Sequence, residues 1–204
     1  MKIGVLAVQG AAREHILCLK KLGAEVVPVL RPQDLLGLAG IVLPGGESTA
    51  QWRLLRGMGL VEPLGKALAD GLPVFGTCAG LILLARSITN WPERYFGLLD
   101  VTVERNATGR QVDSFEAFVP VAGLGEVPAV FIRAPAIREV GPRVEVLGRY
   151  NGEPVLVLED SRLGGTFHPE LTDDLRVHEL FLGLCKKEGT WRGLPSTGLG
   201  ASAG

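Results

Sequence analysis

The segment GTCAG at positions 76–80 contains the residue with the best setting for a nucleophile, Cys78. Its pattern, G-x-C-x-G, is the cysteine form of the nucleophile elbow, in which a tight turn between a strand and a helix exposes one side chain. A helix N-terminus beside the sulfur favours the thiolate, which is the attacking form. The amide of Ala79 can donate a hydrogen bond to an oxyanion. The alternative is a small core residue, the usual fate of a free cysteine, but the two glycines favour the elbow.

A cysteine nucleophile needs a base, and His168 has the most suitable position among the three histidines. It directly follows a predicted strand. Glu170 lies two residues further along, and Pro169 restricts the backbone between them. A carboxylate that near can hold one imidazole nitrogen and leave the other facing the sulfur, as in a catalytic triad. A loop or capping histidine is the alternative.

The other histidines and cysteines lack such a setting. His178, on the last predicted helix, is interpreted as a surface or packing residue, and the role of His15, close to the first predicted loop, is left open. Cys18 and Cys185 lie in apolar helical stretches and are predicted to be packing residues. No CxxC pair occurs, so neither a structural zinc site nor a disulfide framework is indicated, and no metal or cofactor is expected.

Backbone amides and arginines could hold the remainder of a substrate. The Gly45-Gly46 pair follows a predicted strand and exposes N–H groups that can bind an oxyanion or a carboxylate, although such a pair is usually only a turn. Arg105, after a strand, and Arg133, in the segment FIRAP at 131–135, could each hold an α-carboxylate through two parallel hydrogen bonds. Either arginine could equally be a solvated surface charge.

Strands alternate with helices in the first half of the chain. Apolar runs predict strands at 2–8, 25–30, 40–43 and 73–76, and helical spacing predicts helices at 11–22, 51–60, 63–69 and 81–87. This alternation predicts a parallel sheet covered on both faces. Ligands in such folds bind beyond the carboxyl ends of the strands. The loops at Gln9-Gly10, at 45–48 and at Cys78 should therefore gather at one edge.

The second half of the chain is predicted to be mostly strand. Strand-like segments lie at 98–104, 115–121, 129–132, 144–150, 154–159 and 163–167, and Asn151-Gly152 is a hairpin turn signal. A final helix is predicted at 172–187, with Thr172 as its N-cap. The Gly- and Ser-rich stretch at 189–204 is predicted to be a loose tail. Because neither a linker nor a repeat occurs, we expect one domain at 1–188.

The composition excludes several classes of protein. A chain of 204 residues, 47% of them hydrophobic, suffices for one domain with a full core. A net charge of −1 gives no sign of the clustered basic face that nucleic-acid binding needs. No apolar stretch reaches the roughly 20 residues of a membrane span, and the N-terminus lacks a signal-peptide pattern. We therefore expect a cytoplasmic protein with no nucleic-acid or membrane partner.

These segments resemble the class I, or triad, glutamine amidotransferases and, within them, the family of glutaminase subunits of pyridoxal 5′-phosphate synthase. GTCAG followed by HPE is specific to triad amidotransferases, and GRQVDSFEA and FIRAP are typical of this one family. The resemblance extends to about residue 187. The matching segments are GVLAVQGAAREH at 4–15, LPGGEST at 43–49, GTCAGLILLA at 76–85, VERNATGRQVDSFEA at 103–117, FIRAP at 131–135 and TFHPELTDD at 166–174.

The resemblance implies a fold and a set of site residues. The fold would be a single-domain, three-layer α/β sandwich with a largely parallel central sheet of the flavodoxin-like kind. Cys78, His168 and Glu170 would form the triad, and the amides of Gly46 and Ala79 would form the oxyanion hole. The residues implied to bind L-glutamine are Gly46, Glu47, Ser48, Arg105, Ile132 and Arg133.

The resemblance also implies a partner. Glutaminases of this family form hetero-oligomers with a synthase subunit, a phosphate-binding (β/α)₈ barrel that receives ammonia through an internal tunnel. Free glutaminase subunits of the family are nearly idle until they dock, and docking is expected to act at Gln9-Gly10 and at Gly45-Gly46. No cofactor is implied.

Three alternatives stay open. A glutaminase subunit of another amidotransferase pathway would keep the triad and change the partner. A cysteine peptidase or hydrolase with a similar elbow would act on peptides, and Arg105 and Arg133 would then not bind an α-carboxylate. A non-enzymatic sensor of the same fold would keep Cys78 only as an oxidisable thiol, but it would not need the oriented base that the HPE segment provides.

Overall fold

The computed structural model describes residues 1–89, 91–105 and 114–188. The predicted tail at 189–204 and most of the segment GRQVDSFEA lie outside the described residues. Among the residues that the structure describes, no helix has the length and hydrophobicity that a membrane crossing would need.

Twelve strands and five α-helices form within the described residues. In chain order they are β1 (Lys2–Leu6), α1 (Ala12–Lys21), β2 (Glu25–Val29), β3 (Gly40–Leu43), α2 (Ser48–Gly57), α3 (Val61–Ala69), β4 (Val74–Thr77), α4 (Ala79–Leu84), β5 (Ala85–Ile88), β6 (Leu99–Glu104), β7 (Phe115–Val121), β8 (Gly125–Phe131), β9 (Ala136–Val140), β10 (Glu145–Tyr150), β11 (Glu153–Glu159), β12 (Arg162–Gly165) and α5 (Arg176–Glu188). Short 3₁₀ helices cover Pro32–Leu35 and Pro169–Leu171.

The central sheet has nine strands in the order β2-β1-β3-β4-β12-β11-β10-β7-β8. The five strands from β2 to β12 are parallel, and the last four are added antiparallel. The predicted α/β fold is confirmed, and within the central sheet the parallel arrangement is confined to these five strands. Their carboxyl ends lie at one edge, and the loops after β1, β3, β4 and β12 meet there. A second sheet has the order β5-β6-β9.

Apolar side chains alternate between the two faces of the central sheet. Val42 of β3 and Phe75 of β4 belong to the core on one face, together with Leu19 of α1 and Phe181 of α5. Their chain neighbours face the other way and pack with α2, α3, α4 and the small sheet. Because side chains in a strand point alternately to its two faces, both faces are covered, and the molecule has the three layers expected.

Two strands depart from the prediction. The helix predicted at 81–87 ends at Leu84, and Ala85–Ile88 forms β5, which pairs with β6. The helical prediction was wrong there because tertiary pairing with β6 overrides the apolar continuity of the sequence. Strand β9 was not predicted, since three of its five residues are exposed and its burial does not alternate.

The last helix begins four residues later than predicted, at Arg176 rather than Thr172. The Thr172 hydroxyl donates to the Pro169 carbonyl at 3.0 Å, and the Asp174 carboxylate accepts from the Arg176 N–H at 3.0 Å. Thr172 therefore closes the preceding 3₁₀ turn instead of capping α5, because its side chain competes for local backbone groups. The Arg176 guanidinium donates to the carbonyls of Leu124 and Glu126 at strand β8.

Replacing Gly80 with alanine should destabilise the fold. A Cβ at Gly80 would overlap the Leu43 carbonyl oxygen and lie 2.9 Å from the Leu43 Cβ, so α4 would have to move away from β3. We expect the free energy of unfolding in urea to fall by about 1–3 kcal/mol. The control is Gly183→Ala in α5, where an added Cβ would meet no atom within 4 Å apart from the adjoining backbone of its own helix. That variant should be as stable as the wild type or more stable by ~0.5–1 kcal/mol. Equal stability of the Gly80→Ala variant and the wild type would contradict the packing argument.

Candidate active site

Cys78 lies in the turn between β4 and α4, and the strand–turn–helix expected around it is present. Its backbone has φ 49° and ψ −102°, an unusual conformation for a residue with a side chain. The Cys78 N–H donates to the Gly165 carbonyl at 2.8 Å, which fixes the turn against β12. The glycines make the turn possible, since a Cβ at Gly76 would lie 2.7 Å from the Gly80 carbonyl. Cys78 is 7% exposed.

His168 reaches the same edge of the sheet from the loop after β12. The backbone N–H of His168 donates to the Val130 carbonyl of β8 at 2.8 Å. The ring Nδ1 lies 2.8 Å from the Oε1 of Glu170. Because Nδ1 is engaged with Glu170, Nε2 is the nitrogen left for the Cys78 thiol. The backbone of Gly45 lies against both partners: a Cβ there would collide with the His168 ring and lie 3.4 Å from the Cys78 Cβ.

The charges around His168 favour an imidazolium. Burial alone would lower the pKa of His168, but hydrogen bonding to Cys78 and to Glu170 outweighs burial and raises it to about 10. Burial alone would raise the pKa of Glu170, but His15 and His168 hold it well below its usual range. The other two thiols differ, because burial raises the pKa of Cys18 and raises that of Cys185 to about 12. Cys78 is thus the thiol with a charged partner beside it.

All three histidines of the chain belong to one buried cluster behind Cys78. The Nε2 of His15 lies 3.4 Å from the Oε2 of Glu170 and 3.1 Å from the Thr77 hydroxyl. The Nδ1 of His15 lies 3.0 Å from the Nε2 of His178, and both rings are fully buried. His178 is therefore a packing residue and not a surface one. The sequence argument gave His15 no role and did not consider Thr77.

A cleft of about 310 Å³ opens in front of Cys78 and His168. All six residues proposed to bind glutamine line it, whereas Ala79 and Glu170 are not among the lining residues. Gly10 and Gly45, expected at this edge as parts of their loops, also line the cleft, together with Ala11, Ile82 and Leu171, which were not predicted. The loops after four parallel strands thus supply one site. No group of three or more His, Cys, Asp or Glu residues suited to a metal ion occurs within the described ranges.

Glu47 and Arg105 form an ion pair at this cleft. The Glu47 carboxylate caps α2 by accepting from Thr49 N at 3.1 Å and Ala50 N at 2.6 Å. The Arg105 guanidinium lies 3.1 Å from Glu47 Oε1 and 4.6 Å from the ring centroid of Trp91. Burial alone would raise the pKa of Glu47, but the two amides and Arg105 lower it, so the carboxylate is ionised at neutral pH. Arg133 is exposed and has φ 44°.

The loop after β3 is hydrogen-bonded to the loop after β1. Ala11 N donates to the Gly45 carbonyl at 3.0 Å, and Glu47 N donates to the Gln9 side chain at 2.9 Å. The buried Gln51 amide spans both loops, donating to the carbonyls of Gln9 and Pro44, each at 3.1 Å. Movement of the first loop would therefore be transmitted to Gly45 and Gly46.

Comparison with known proteins gives consistent matches. Residues 5–187 match the SNO glutamine amidotransferase family. The pyridoxal 5′-phosphate synthase subunit PdxT of Thermotoga neapolitana is 55% identical over 188 residues, covering 91% of this chain and 100% of that protein. The subunit of the same name from Geobacillus thermodenitrificans is 53% identical, covering 93% and 98% respectively. A crystal structure titled as a glutamine amidotransferase has a TM-score of 0.87 at 48% identity, covering 90% of this chain and 98% of the other.

The Gly45→Ala substitution should disrupt the Cys78–His168 pair. The added methyl would occupy the position of the His168 ring, so the ring must move away from the sulfur. We expect alkylation of Cys78 by iodoacetamide at neutral pH to slow by about tenfold or more, because the reactive thiolate loses its imidazole partner. Peptide mass spectrometry would identify the modified cysteine. The same change at Gly183, where space is open, should leave the rate unaltered. Wild-type reactivity in Gly45→Ala would refute the contact.

His178 should make the protein less stable in acid. Burial and the neighbouring His15 lower the pKa of His178 to about 3, against an ordinary value of 6.5. The free energy of unfolding is unaffected by protonation of this histidine above pH 6.5, where it is neutral in both states. As the pH falls from 6.5 toward 3, His178 binds a proton in the unfolded chain but not in the folded one, so the free energy of unfolding decreases. In urea titrations between pH 6 and 4, the unfolding free energy of the wild type should fall more steeply than that of His178→Gln, by up to ~1.4 kcal/mol per pH unit. Parallel curves would show that His178 does not titrate in this way.

Proposed function

The chain belongs to the SNO glutamine amidotransferase family, and we propose that it hydrolyses L-glutamine to L-glutamate and ammonia as the glutaminase subunit of a pyridoxal 5′-phosphate synthase. The single observation that carries the proposal is the position of His168, which is held by Glu170 at 2.8 Å and lines the same cleft as Cys78. Cys78 would be the nucleophile, His168 the base and Glu170 the residue that orients the base.

Acylation begins with attack of the Cys78 thiolate on the side-chain amide carbon of glutamine. The carbonyl electrons move to oxygen, and the oxyanion is held by the N–H groups of Gly46 and Ala79. As the first residue of α4, Ala79 has an N–H with no intrahelical acceptor. A single oxyanion-hole donor is worth about 3 kcal/mol in comparable enzymes. Collapse of the tetrahedral intermediate breaks the carbon–nitrogen bond, and the His168 imidazolium protonates the departing nitrogen to give ammonia.

Deacylation reuses the same base. His168, now neutral, takes a proton from a water molecule that attacks the thioester, and the intermediate collapses to glutamate and the Cys78 thiolate. His168 is again protonated at the end of the cycle. Glu170 keeps the Nδ1 proton of the ring in place throughout, so that Nε2 always faces the reacting atoms.

The charged groups of the cleft suit the α-carboxylate and the α-ammonium group of glutamine. In the proposed complex, Arg105 and Arg133 hold the α-carboxylate, and Gly46, Glu47, Ser48 and Ile132 complete the site. The Ser48 hydroxyl supports this assignment, because it is buried and has no hydrogen-bond partner among the described residues. Glu47 offers an ionised carboxylate to the α-ammonium group, with Arg105 already beside it.

We propose that the partner is a synthase subunit with a (β/α)₈ barrel, which takes up the ammonia, and that docking acts on the loops at Gln9-Gly10 and Gly45-Gly46. The hydrogen bonds between these loops support this route, since they connect the first loop to Gly45 and Glu47, the residues on either side of the proposed oxyanion donor Gly46. One domain at 1–188 and action in the cytoplasm belong to the same proposal. The free state of all three cysteines suits a reducing compartment.

Family membership weighs against two of the alternatives. A peptidase or a redox sensor would not be expected to match a glutamine amidotransferase family across residues 5–187. Service to another amidotransferase pathway is disfavoured by the name shared by the relatives at 53–55% identity. An assay of glutamate release with the pyridoxal 5′-phosphate synthase subunit as the added partner separates this last alternative from the proposal.

Replacing Cys78 with alanine should abolish glutamate release. With the synthase subunit present, we expect glutamine turnover to fall by at least ~1000-fold, because the nucleophile is lost while the fold is retained. Coupled detection with glutamate dehydrogenase measures the rate. Cys185→Ala is the matched control, since it removes a buried thiol outside the cleft and should keep wild-type activity. Retained turnover in Cys78→Ala would refute the assignment, and a wild type that is inactive with this synthase subunit would refute the proposed partner.

A further inference from the structure

We propose that His15 is a positioning residue of the active site, which holds the Glu170 carboxylate from behind and connects it through Thr77 to the Gly45 loop. The proposal deepens the proposed function and rests on it. It adds a group that contacts neither the thiol nor the substrate cleft, and that acts on the base only through Glu170.

The first argument is the environment of Glu170. This residue is 5% exposed, and its Oε1 is engaged by His168 at 2.8 Å. Its Oε2 has no hydrogen bond of good geometry within the described part of the chain, and His15 Nε2 lies beside it at 3.4 Å. A buried carboxylate oxygen without a compensating donor is strongly destabilising. His15 supplies the positive or donor group that Oε2 needs in order to stay where Oε1 can hold His168.

The second argument concerns the proton positions in the histidine pair. His178 Nδ1 is buried and has no partner among the described residues. A buried N–H without an acceptor is destabilising, so the favoured tautomer of His178 carries its proton on Nε2. That proton is donated to His15 Nδ1 at 3.0 Å. His15 then carries its own proton on Nε2, the nitrogen that faces Glu170 and Thr77.

The third argument is the link from His15 to the loop after β3. The Thr77 hydroxyl lies 3.1 Å from His15 Nε2 and accepts from the Gly45 N–H at 3.0 Å. His15 itself lies on the first turns of α1, directly after the loop whose Ala11 N–H binds the Gly45 carbonyl. One imidazole therefore contacts the orienting carboxylate and, through one hydroxyl, the backbone that separates Cys78 from His168.

A purely structural role would also explain a buried, satisfied histidine, and the two roles predict different kinetics. A histidine that only fills space affects stability and leaves the triad unchanged. A positioning histidine affects kcat and the pH at which Cys78 reacts, but it leaves the KM for glutamine unchanged because it does not line the cleft. The groups that face the His15 ring are His178, Glu170, Thr77 and the edge of Phe75.

The test compares two polar replacements of similar size. The amide nitrogen of Gln in His15→Gln corresponds to Nε2 and can still donate toward Glu170. The amide of Asn in His15→Asn corresponds to Nδ1 and reaches only His178. Three quantities are measured for each variant: kcat and KM for glutamine with the synthase subunit present, the pH dependence of Cys78 alkylation by iodoacetamide in the free chain, and the melting temperature. Cys185→Ala serves as the control for loss of packing on α5.

We expect His15→Asn to lower kcat by about 10- to 100-fold, because the base is misplaced, with KM changed by less than about twofold. The midpoint of its alkylation profile should rise by about one pH unit, since Glu170 then stabilises the imidazolium less well. His15→Gln should recover most of both losses. His178→Gln, which leaves His15 in place, should keep kcat within about tenfold of the wild type with KM unchanged. This comparison with the wild type is the second test if His15→Asn does not fold, and a larger loss of kcat would count against the proposal.

Several outcomes would overturn the proposal. These are an unchanged kcat in His15→Asn, equal losses in the Asn and Gln variants, or losses that follow melting temperature in all variants including Cys185→Ala. If the wild type with its partner releases no glutamate, the proposed function fails, whereas the alkylation profiles of the same variants still decide the role of His15.

Discussion

The burial of a single carboxylate, that of Glu170, constrains the arrangement of the whole site. An ionised group with 5% exposure is tolerated only where donors surround it. His168, from the loop after β12, engages Oε1 at 2.8 Å, and His15 of α1 lies 3.4 Å from Oε2. Helix α5 closes the same corner through His178. The ring of His168, the proposed base, therefore lies among elements from both ends of the chain, and the end of β4 with the turn after it contributes the Cys78 sulfur and the Thr77 hydroxyl.

Short-range patterns in the sequence were sufficient to predict the elbow, the loop after β12 and the covered parallel strands. The elbow could be predicted because its glycines have a local cause. Gly76 lies against the backbone of Gly80, and Gly80 lies against the backbone of β3, so neither position has room for a side chain. Given a parallel sheet, the gathering of loops at one edge follows from topology. The cleft accordingly contains Cys78, His168 and every residue expected to bind glutamine.

Features that depend on tertiary pairing could not be predicted in this way. Strand β5 reads as helix because its apolar residues continue those of α4, and only pairing with β6 makes it a strand. The histidine cluster joins residues 163 positions apart. Part of its signal was nevertheless present: His15, Cys18 and Leu19 have the spacing of one buried helical face. A buried histidine on such a face needs a polar partner. That partner must lie inside the protein, near the edge of the sheet.

The hydrogen bond from His168 N to Val130 has a consequence for the outer end of the sheet. Strand β8 is an edge strand, and unpaired edge carbonyls can recruit a strand from another molecule. Here the Val130 carbonyl accepts from the base loop, while those of Leu124 and Glu126 accept from the Arg176 guanidinium. The loop that carries His168, the proposed base, thus also occupies part of this edge and leaves fewer carbonyls for intermolecular β-pairing.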